Sequence, residues 1–527
     1  MYERLLVLQL DSVPWSVLGP LMAEGAMPRL KALYEQGCSG TLCSTIPPIT
    51  PAAWATFMTG VNPGRHGILG FKGFDPVKQT YRLSDARHLH ERNIYRMLAQ
   101  SGKRVGVMMQ PSTHPPFDTN GFMLSGFDGP GLSAPFAFPS ELEPEIRKLC
   151  PEHELNYNFH RIWNRPLGPD ADAIFAANLA GASEQVRRVT QLTLDLLHRR
   201  PVDALIAYYQ APDVVLHKAW PFCLPSGAAR NPARRAATVA FWREVDTACG
   251  RLLDEFPSEN RLELVISDHG HQLAKYAVSV NDLLQQAGLL TFARSMGSLA
   301  KDAVRRVGAL ARGEKRRGLG TPIDWDRTKA FMPYQVCSGL VYVNLKGRQP
   351  YGSVDPADYV RVRDEVRASL LAQKLPDGNP VCEDVVVGDE FFPDKDARGM
   401  PDLILLQGEG VDFKRRAGQA ETHRLYKMGI FGIHHPDGLY ILRGAGVPKR
   451  TQVDFNILDF PPTLLAALGE AVPSFMEGAV RHECFEAPLD VRTREWPWGE
   501  TAAIEAGYTP EQQAEIEARL EDLGYLD

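Results

Sequence analysis

The chain has 527 residues, of which 44% are hydrophobic and 23% charged, and its formal net charge is −6. That length buries a large core and points to two or more structural units, and the composition excludes wholesale disorder. The slightly acidic balance gives no basis for nucleic-acid binding through a globally basic surface, and it identifies no substrate.

The N-terminus, MYERLLVLQLDS, sets Glu3 and Arg4 before a short apolar run. It lacks the long apolar stretch and small-residue cleavage site of a signal peptide. No later segment approaches the roughly 20 uninterrupted apolar residues that span a bilayer. The expectation is a cytoplasmic protein. Eight dispersed cysteines, none in a C-x-x-C pair, suit a reducing compartment and argue against both a disulfide framework and a thiolate zinc site.

Arg4 to Leu10 reads as a buried parallel strand that ends at Asp11, placing a polar group at the strand's C-terminal edge. A helix is predicted from Leu18 through Tyr34. A second begins near Pro51, because proline is tolerated in a first turn, and Thr50 then falls at its N-cap. Further strands are Arg104 to Met109 (RVGVMM), Asp203 to Tyr209 (DALIAYY) and Leu262 to Ile266 (LELVI), with helices at Gln185 to His198 and Thr238 to Glu255. This alternation predicts an α/β fold with a mostly parallel central sheet covered by helices on both faces.

Between about Ser279 and Gly399 the character changes. A basic, Gly-broken stretch (Arg294 to Gly318), a strand-like GLVYVNLKG, a helix-like DYVRVRDEVRASLLAQK and a Pro/Asp-rich loop read as an inserted cap domain. The chain is expected to re-enter the sheet at Asp402 to Leu406 (DLILL), to supply His434 in GIHHPDGLYIL and to close with PPTLLAALGE as a helix. The units are therefore a catalytic core over 1–278 and 400–485, a cap over 279–399, and a C-terminal tail over 486–527 with a short helix. No internal repeat or low-complexity tract is visible.

Asp11, Thr50, Asp213, His217, Asp268, His269 and His434 lie where predicted strands give way to loops or helices, the place where an open α/β sheet gathers its catalytic groups. Taken singly each has an ordinary reading. Asp11, Asp213 and Thr50 suit helix caps, and His217 and His434 suit core or surface positions. Taken together they have the chemistry to hold two divalent metal ions around a hydroxyl. Asp213 and His217, four apart on a helical turn, point the same way, whereas adjacent Asp268 and His269 suit a sharp strand-exit loop. Mixed Asp/His shells suit Zn²⁺, and Mn²⁺ and Fe are also compatible. A metal-held Thr50 hydroxyl at a helix N-terminus is suited to attack on a phosphoryl group, with one ion on the attacking and one on the leaving oxygen.

The segments PPITPAAWATFMTGVNPGRHGI, APDVVLH, ISDHGH and GIHHPDG, in that order, resemble the type I phosphodiesterase/nucleotide pyrophosphatase branch of the alkaline phosphatase superfamily. PPTLLAALGEAVPSFMEG adds to the likeness, which covers nearly the whole chain. The resemblance implies an alkaline-phosphatase-like fold and a Thr50 nucleophile that is transiently phosphorylated. It implies that Asp11, Thr50, Asp268 and His269 hold one metal, and that Asp213, His217 and His434 hold the other, with His434 preferred over His435.

One departure stands out. The family places an Asn shortly after the HGI segment to bond a non-bridging phosphate oxygen, whereas this chain has Phe71. Lys72 is the nearest candidate for the substrate-binding role, with a solvated surface lysine as its plain alternative. His66 and His271 are expected to support ligands or structure, with direct participation as the alternative. Cys43 precedes Thr50, but the chain lacks the C-x-P-x-R segment of sulfatases. Lys301 to Arg317, with Arg305, Arg306, Arg312, Lys315 and Arg316, reads either as an anionic-surface or phosphate-recruiting segment or as a solvated stretch of the cap.

The leading expectation is a hydrolase of phosphodiester or phosphoanhydride bonds acting on a small phosphorylated substrate, a nucleotide among the candidates. Phosphomonoester hydrolysis or phosphoryl transfer on the same scaffold is the alternative, and a non-catalytic binding protein the third. The cap is expected to choose the substrate.

Overall fold

The computed structural model describes residues 1–131, 134–149, 171–293, 322–392, 399–415, 417–418, 421–426, 429, 431–496 and 508–523. All of Lys301 to Arg317, including the basic residues singled out above, lies outside the described residues.

The first strands are β1 (Arg4–Leu10), β2 (Cys38–Cys43), β3 (Lys72–Asp75), β4 (Thr80–Leu83), β5 (Val105–Met108), β6 (Phe122–Leu124), β7 (Ala137–Phe138), β8 (Ala204–Tyr209) and β9 (Arg261–Ile266). They continue with β10 (Gly270–Leu273), β11 (Tyr276–Ser279), β12 (Ala330–Phe331), β13 (Gly339–Val343), β14 (Cys382–Val387) and β15 (Leu403–Gln407). Then follow β16 (Val411–Lys414), β17 (His423–Leu425), β18 (Gly432–His435), β19 (Asp437–Arg443), β20 (Thr451–Gln452) and β21 (Phe455–Asn456).

A 10-stranded sheet runs β20-β2-β19-β9-β1-β8-β5-β6-β7, with β21 also on β2. β9, β1, β8, β5 and β6 are parallel, and β19 lies antiparallel between β9 and β2. The expected α/β architecture is thus present, as an alkaline-phosphatase-like mixed sheet with a parallel centre. β1, β8 and β9 are mainly apolar, and their near-complete burial reflects cover on both faces. In register, Leu10 lies opposite Tyr209 and Gln9 opposite Ile266, so the C-terminal ends of these three strands emerge side by side.

Two local expectations are corrected. The helix expected over Leu18 to Tyr34 is two helices, α1 (Trp15–Ala23) and α2 (Pro28–Glu35). Gly25 at φ +74° turns the chain left-handed after α1, and Pro28 starts the next helix where it needs no N–H partner. The helix expected from Pro51 is α3 (Thr50–Thr59), with Ile49 at its N-cap, so Thr50 is the first helical residue rather than the cap.

A second sheet, ordered β12-β13-β15-β14, has its own hydrophobic core, which reaches Ile49 and Ala52 beside Thr50. Its helix is Tyr359–Leu371, close to the expectation for that segment. The DLILL run does not re-enter the central sheet. As β15 it pairs antiparallel with β13 and β14, placing strands of one sheet on both sides of residue 399. The return comes at β19, after β16 and β17 have joined β11 in a third small sheet. No helix among the described residues is long and apolar enough to cross a membrane.

Candidate metal centre

Asp11 follows β1 at the parallel edge of the central sheet and is fully buried. Its carboxylate accepts a hydrogen bond from the Tyr208 phenol of neighbouring β8. The chain turns there at Ser12, whose φ of +68° is unusual for a residue with a side chain. Ser12 N–H donates to Asp268 Oδ1 at 3.1 Å, linking the exit of β1 to the exit of β9. His269 Nε2 lies 3.3 Å from Asp268 Oδ2, 3.7 Å from Asp11 Oδ1 and 3.3 Å from Thr50 Oγ1. Ile49 at the cap of α3 makes no side-chain bond to the first-turn N–H groups, an arrangement that favours an anion at that helix end.

The second group assembles beside the first. The helix Ala211–Cys223 begins directly after β8 and carries Asp213 and His217 one turn apart. His217 Nε2 and His434 Nε2 each lie 3.4 Å from Asp213 Oδ1 and 3.0 Å from one another. Their other nitrogens face backbone carbonyls: His217 Nδ1 is 2.9 Å from Gly432 O, and His434 Nδ1 is 3.1 Å from Pro48 O. Such bonds place the ring proton on Nδ1 and leave Nε2 as the donor atom toward the group. His435, the alternative to His434, is instead part-exposed beside Asp437. Cys337 from the second sheet also donates to Pro48 O, at 3.1 Å, so that unit touches the loop leading to Thr50.

Burial, with the charges of Asp268 and Asp213, pushes the Asp11 carboxyl well above the usual range, and burial pushes Asp268 up to about 7. Burial opposes ionisation of Asp213 too, but His217 and His434 outweigh it and hold that carboxyl well below its ordinary value. Burial lowers His269 and His217. His434 is raised to about 10 because Asp213 overcomes the effect of burial. Crowded, buried carboxylates are costly unless positive charge joins them.

Divalent cations fit both groups. Two donors about 2.0–2.1 Å from one ion at a tetrahedral angle lie roughly 3.4 Å apart. The spacings of 3.3 Å between Thr50 Oγ1 and His269 Nε2, and of 3.4 Å from Asp213 Oδ1 to each imidazole, match that geometry. Among the described residues Asp268 Oδ2 is a buried acceptor with no hydrogen-bond partner, which suits a ligand atom of a cation. Asp11, Asp268 and His269 form one set of possible ligands, and Asp213, His217, His271 and His434 another.

All seven residues singled out in the sequence thus converge in two adjoining groups. Lys72 is placed differently. Its Nζ lies 3.2 Å from Glu517 Oε1 in the C-terminal helix Pro510–Leu523, so an ion pair competes with the expected phosphate contact. Phe71 is buried against Phe127, which stacks on Tyr208. His66 is structural: it accepts from Ile68 N–H through Nδ1 and bonds Thr56 of α3 through Nε2, tying the turn after that helix back to it.

Ser12, Tyr208 and the inward position of His271 were not singled out in the sequence. Adjacency to Asp11, membership of the DALIAYY strand and the ISDHGH motif are the only signals they carry there. None of these reveals the contact made.

Residues 5–437 match the family described as type I phosphodiesterase/nucleotide pyrophosphatase. No curated protein sequence matches the chain significantly. Among solved structures, the chain is similar in fold to human ectonucleotide pyrophosphatase/phosphodiesterase 5, at 13% identity and a TM-score of 0.51, over 92% of this chain and 100% of that one. It is similar also to an inactive form of the murine protein of that name solved in complex with AMP, at 12% identity and a TM-score of 0.51, over 93% of this chain and 100% of that one.

Proposed function

Because the chain belongs to the type I phosphodiesterase/nucleotide pyrophosphatase family and is a phosphohydrolase, we propose that it cleaves phosphodiester or phosphoanhydride bonds using two divalent metal ions and a phosphorylated Thr50. Asp11, Thr50, Asp268 and His269 would hold one ion, and Asp213, His217 and His434 the other. The reading rests on one observation above all, the position of Thr50 Oγ1 on the first turn of α3, 3.3 Å from His269 Nε2.

Thr50 Oγ forms the new bond to phosphorus while the leaving oxygen departs with the other half of the substrate. Water then attacks the same phosphorus, breaks its bond to Thr50 Oγ and restores the hydroxyl. The two ions, when bound, stabilise charge on the attacking and leaving oxygens of such an in-line displacement. Tyr208 and Ser12 orient the carboxylates of Asp11, Asp213 and Asp268. The uncapped start of α3 presents N–H groups to a phosphoryl oxygen, a role that in this reading compensates for Phe71.

Zn²⁺ is the favoured metal, with Mn²⁺ and Fe compatible with the same donors. A nucleotide is the first substrate to test, since a structurally similar protein was solved with AMP. The second sheet, in contact with the Thr50 loop through Cys337 and Pro48, is the proposed substrate-selecting unit. Free thiols at the described cysteines support a reducing location, and we propose the cytoplasm.

The test is a metal-replete screen of bis-p-nitrophenyl phosphate, p-nitrophenyl phosphate and dinucleotides, combined with elemental analysis. Two ions per chain and faster turnover of the diester or dinucleotides are expected. Preference for the monoester would move the assignment to phosphomonoester hydrolysis or phosphoryl transfer, and failure to turn over any of them would return it to a binding role.

A further inference from the structure

His271 stands on the edge of the second group without a role in the reaction above. β10 and β18 pair antiparallel with His271 directly opposite His434, so the two side chains share one face of the ribbon. The His271 ring centroid is 4.5 Å from that of His217 and 5.2 Å from that of His434. Trp220 stacks against its outer side with centroids 6.2 Å apart. Gly432 permits this approach: a Cβ there would lie 2.4 Å from Leu216 O and 2.7 Å from His271 Cδ2.

The His271 side chain is fully buried, and neither ring nitrogen has a hydrogen-bond partner among the described residues. One structural imidazole offers a contrast. Buried His66 has both nitrogens bonded. His271 Nε2 lies 3.9 Å from Asp213 Oδ1, and one donor atom from each of Asp213, His217, His271 and His434 falls within 4.8 Å of the others. A buried imidazole nitrogen without a protein partner, beside three other ligand atoms, is costly unless a cation takes its lone pair.

We propose that His271 Nε2 is a fourth protein ligand of the second ion, an inference that rests on the two-metal reading above. The donors at that site are then three imidazoles and one carboxylate, against Asp11, Asp268, Thr50 and one imidazole at the first. Nitrogen-rich sites favour borderline ions such as Zn²⁺, whereas oxygen-rich ones also suit Mn²⁺ and Mg²⁺. The two sites are therefore chemically unequal in the donors they would offer.

The full chain, stripped with chelator and titrated with Zn²⁺ alone, tests this. In crystals of the wild-type protein the anomalous peak of the second ion should lie about 2.0–2.3 Å from His271 Nε2. His271→Ala should weaken Zn²⁺ binding at that site by about tenfold or more, leave the first site unchanged and reduce the imidazole count in X-ray absorption by one. Its preference for Zn²⁺ over Mn²⁺ should shrink with it. Two bound ions with His271 Nε2 more than about 3 Å from either, or an unchanged Zn²⁺ affinity in a folded His271→Ala, would overturn this inference and leave the two-metal hydrolase standing. Absence of a second ion from the wild-type protein would overturn both. Should the variant fail to fold, the wild-type anomalous map decides alone.

Discussion

Ser12 Oγ lies 2.6 Å from Asp213 Oδ1, and the same oxygen is 3.0 Å from His269 Nδ1. One hydroxyl therefore joins a donor of each group, and it does so from a backbone at φ +68°, a conformation that favours glycine. The natural relay runs from His269 Nδ1–H to Ser12 Oγ and from Ser12 O–H to Asp213. Retention of a side chain at a strained turn points to what that side chain does.

Ser12→Gly separates the two effects. The backbone relaxes, so stability of the metal-free protein should stay within about 1 kcal/mol of wild type, since the gain at positive φ offsets the added chain entropy. Loss of the hydroxyl should lower kcat/KM by about 10- to 100-fold and weaken metal retention. Chemical denaturation and steady-state kinetics on one preparation read both. A variant with intact kcat/KM would show that the hydroxyl bridge is incidental.

Tyr208→Phe should remove the phenolic donor to Asp11 while keeping the ring that stacks on Phe127 and meets Trp54 edge-on. The expected result is about tenfold weaker metal affinity at the first site and a stability change of about 1 kcal/mol. Calorimetric metal titration checks it. Equal weakening at both sites would mean that the phenol acts through the general fold.

Thr50→Ala should cut turnover by about 10³-fold or more with the fold and most of the metal affinity preserved, because in the proposed reading it removes the nucleophile and only one oxygen ligand. Thr50→Ser keeps the hydroxyl and should retain part of the activity. Trapping of a phosphorylated residue 50 by mass spectrometry in acid-quenched wild-type protein completes the test. Wild-type turnover by the alanine variant would assign the attack to water or another side chain.

Burial holds His90 neutral, at about 4 against an ordinary 6.5, despite the raising effect of Asp85. A depressed imidazole binds fewer protons folded than unfolded between those values, so its contribution to stability is intact above about pH 6.5 and is lost as the pH falls toward 4. His90→Phe lacks that loss and should gain on wild type through this window, by a few kcal/mol at most. The difference in unfolding free energy between the two proteins at pH 7, 5.5 and 4.5 measures it. A difference independent of pH would show that His90 protonates freely in the folded state.

The seven convergent residues were legible because each sits beside a long apolar run or within an ordered set of short segments, and the parallel centre of the sheet follows from alternating strands and helices. Contacts that depend on register were not. Tyr208 belongs to a strand buried on both faces, where alternation of apolar and polar residues gives no sign of which side a phenol takes. His271 meets the second group only because β10 pairs with a strand more than 150 residues later in the chain, at His434. An apolar run such as DLILL identifies a strand but not its sheet, and β15 joined the second one. Lys72 looked available because nothing near it in sequence is acidic apart from Asp75, whereas its partner Glu517 arrives from the C-terminal helix.

The two groups also differ in when they come into being. Asp11, Thr50, Asp268 and His269 have all been synthesised once the chain has grown to residue 269, whereas Asp213 and His217 wait for His434, beyond the whole of the second sheet. A nascent chain of intermediate length carries one finished set of donors beside one unfinished set. In the two-metal reading, the position of a single histidine thus sets an order in which the donors become available, those of the oxygen-rich half before the last of the nitrogen-rich half.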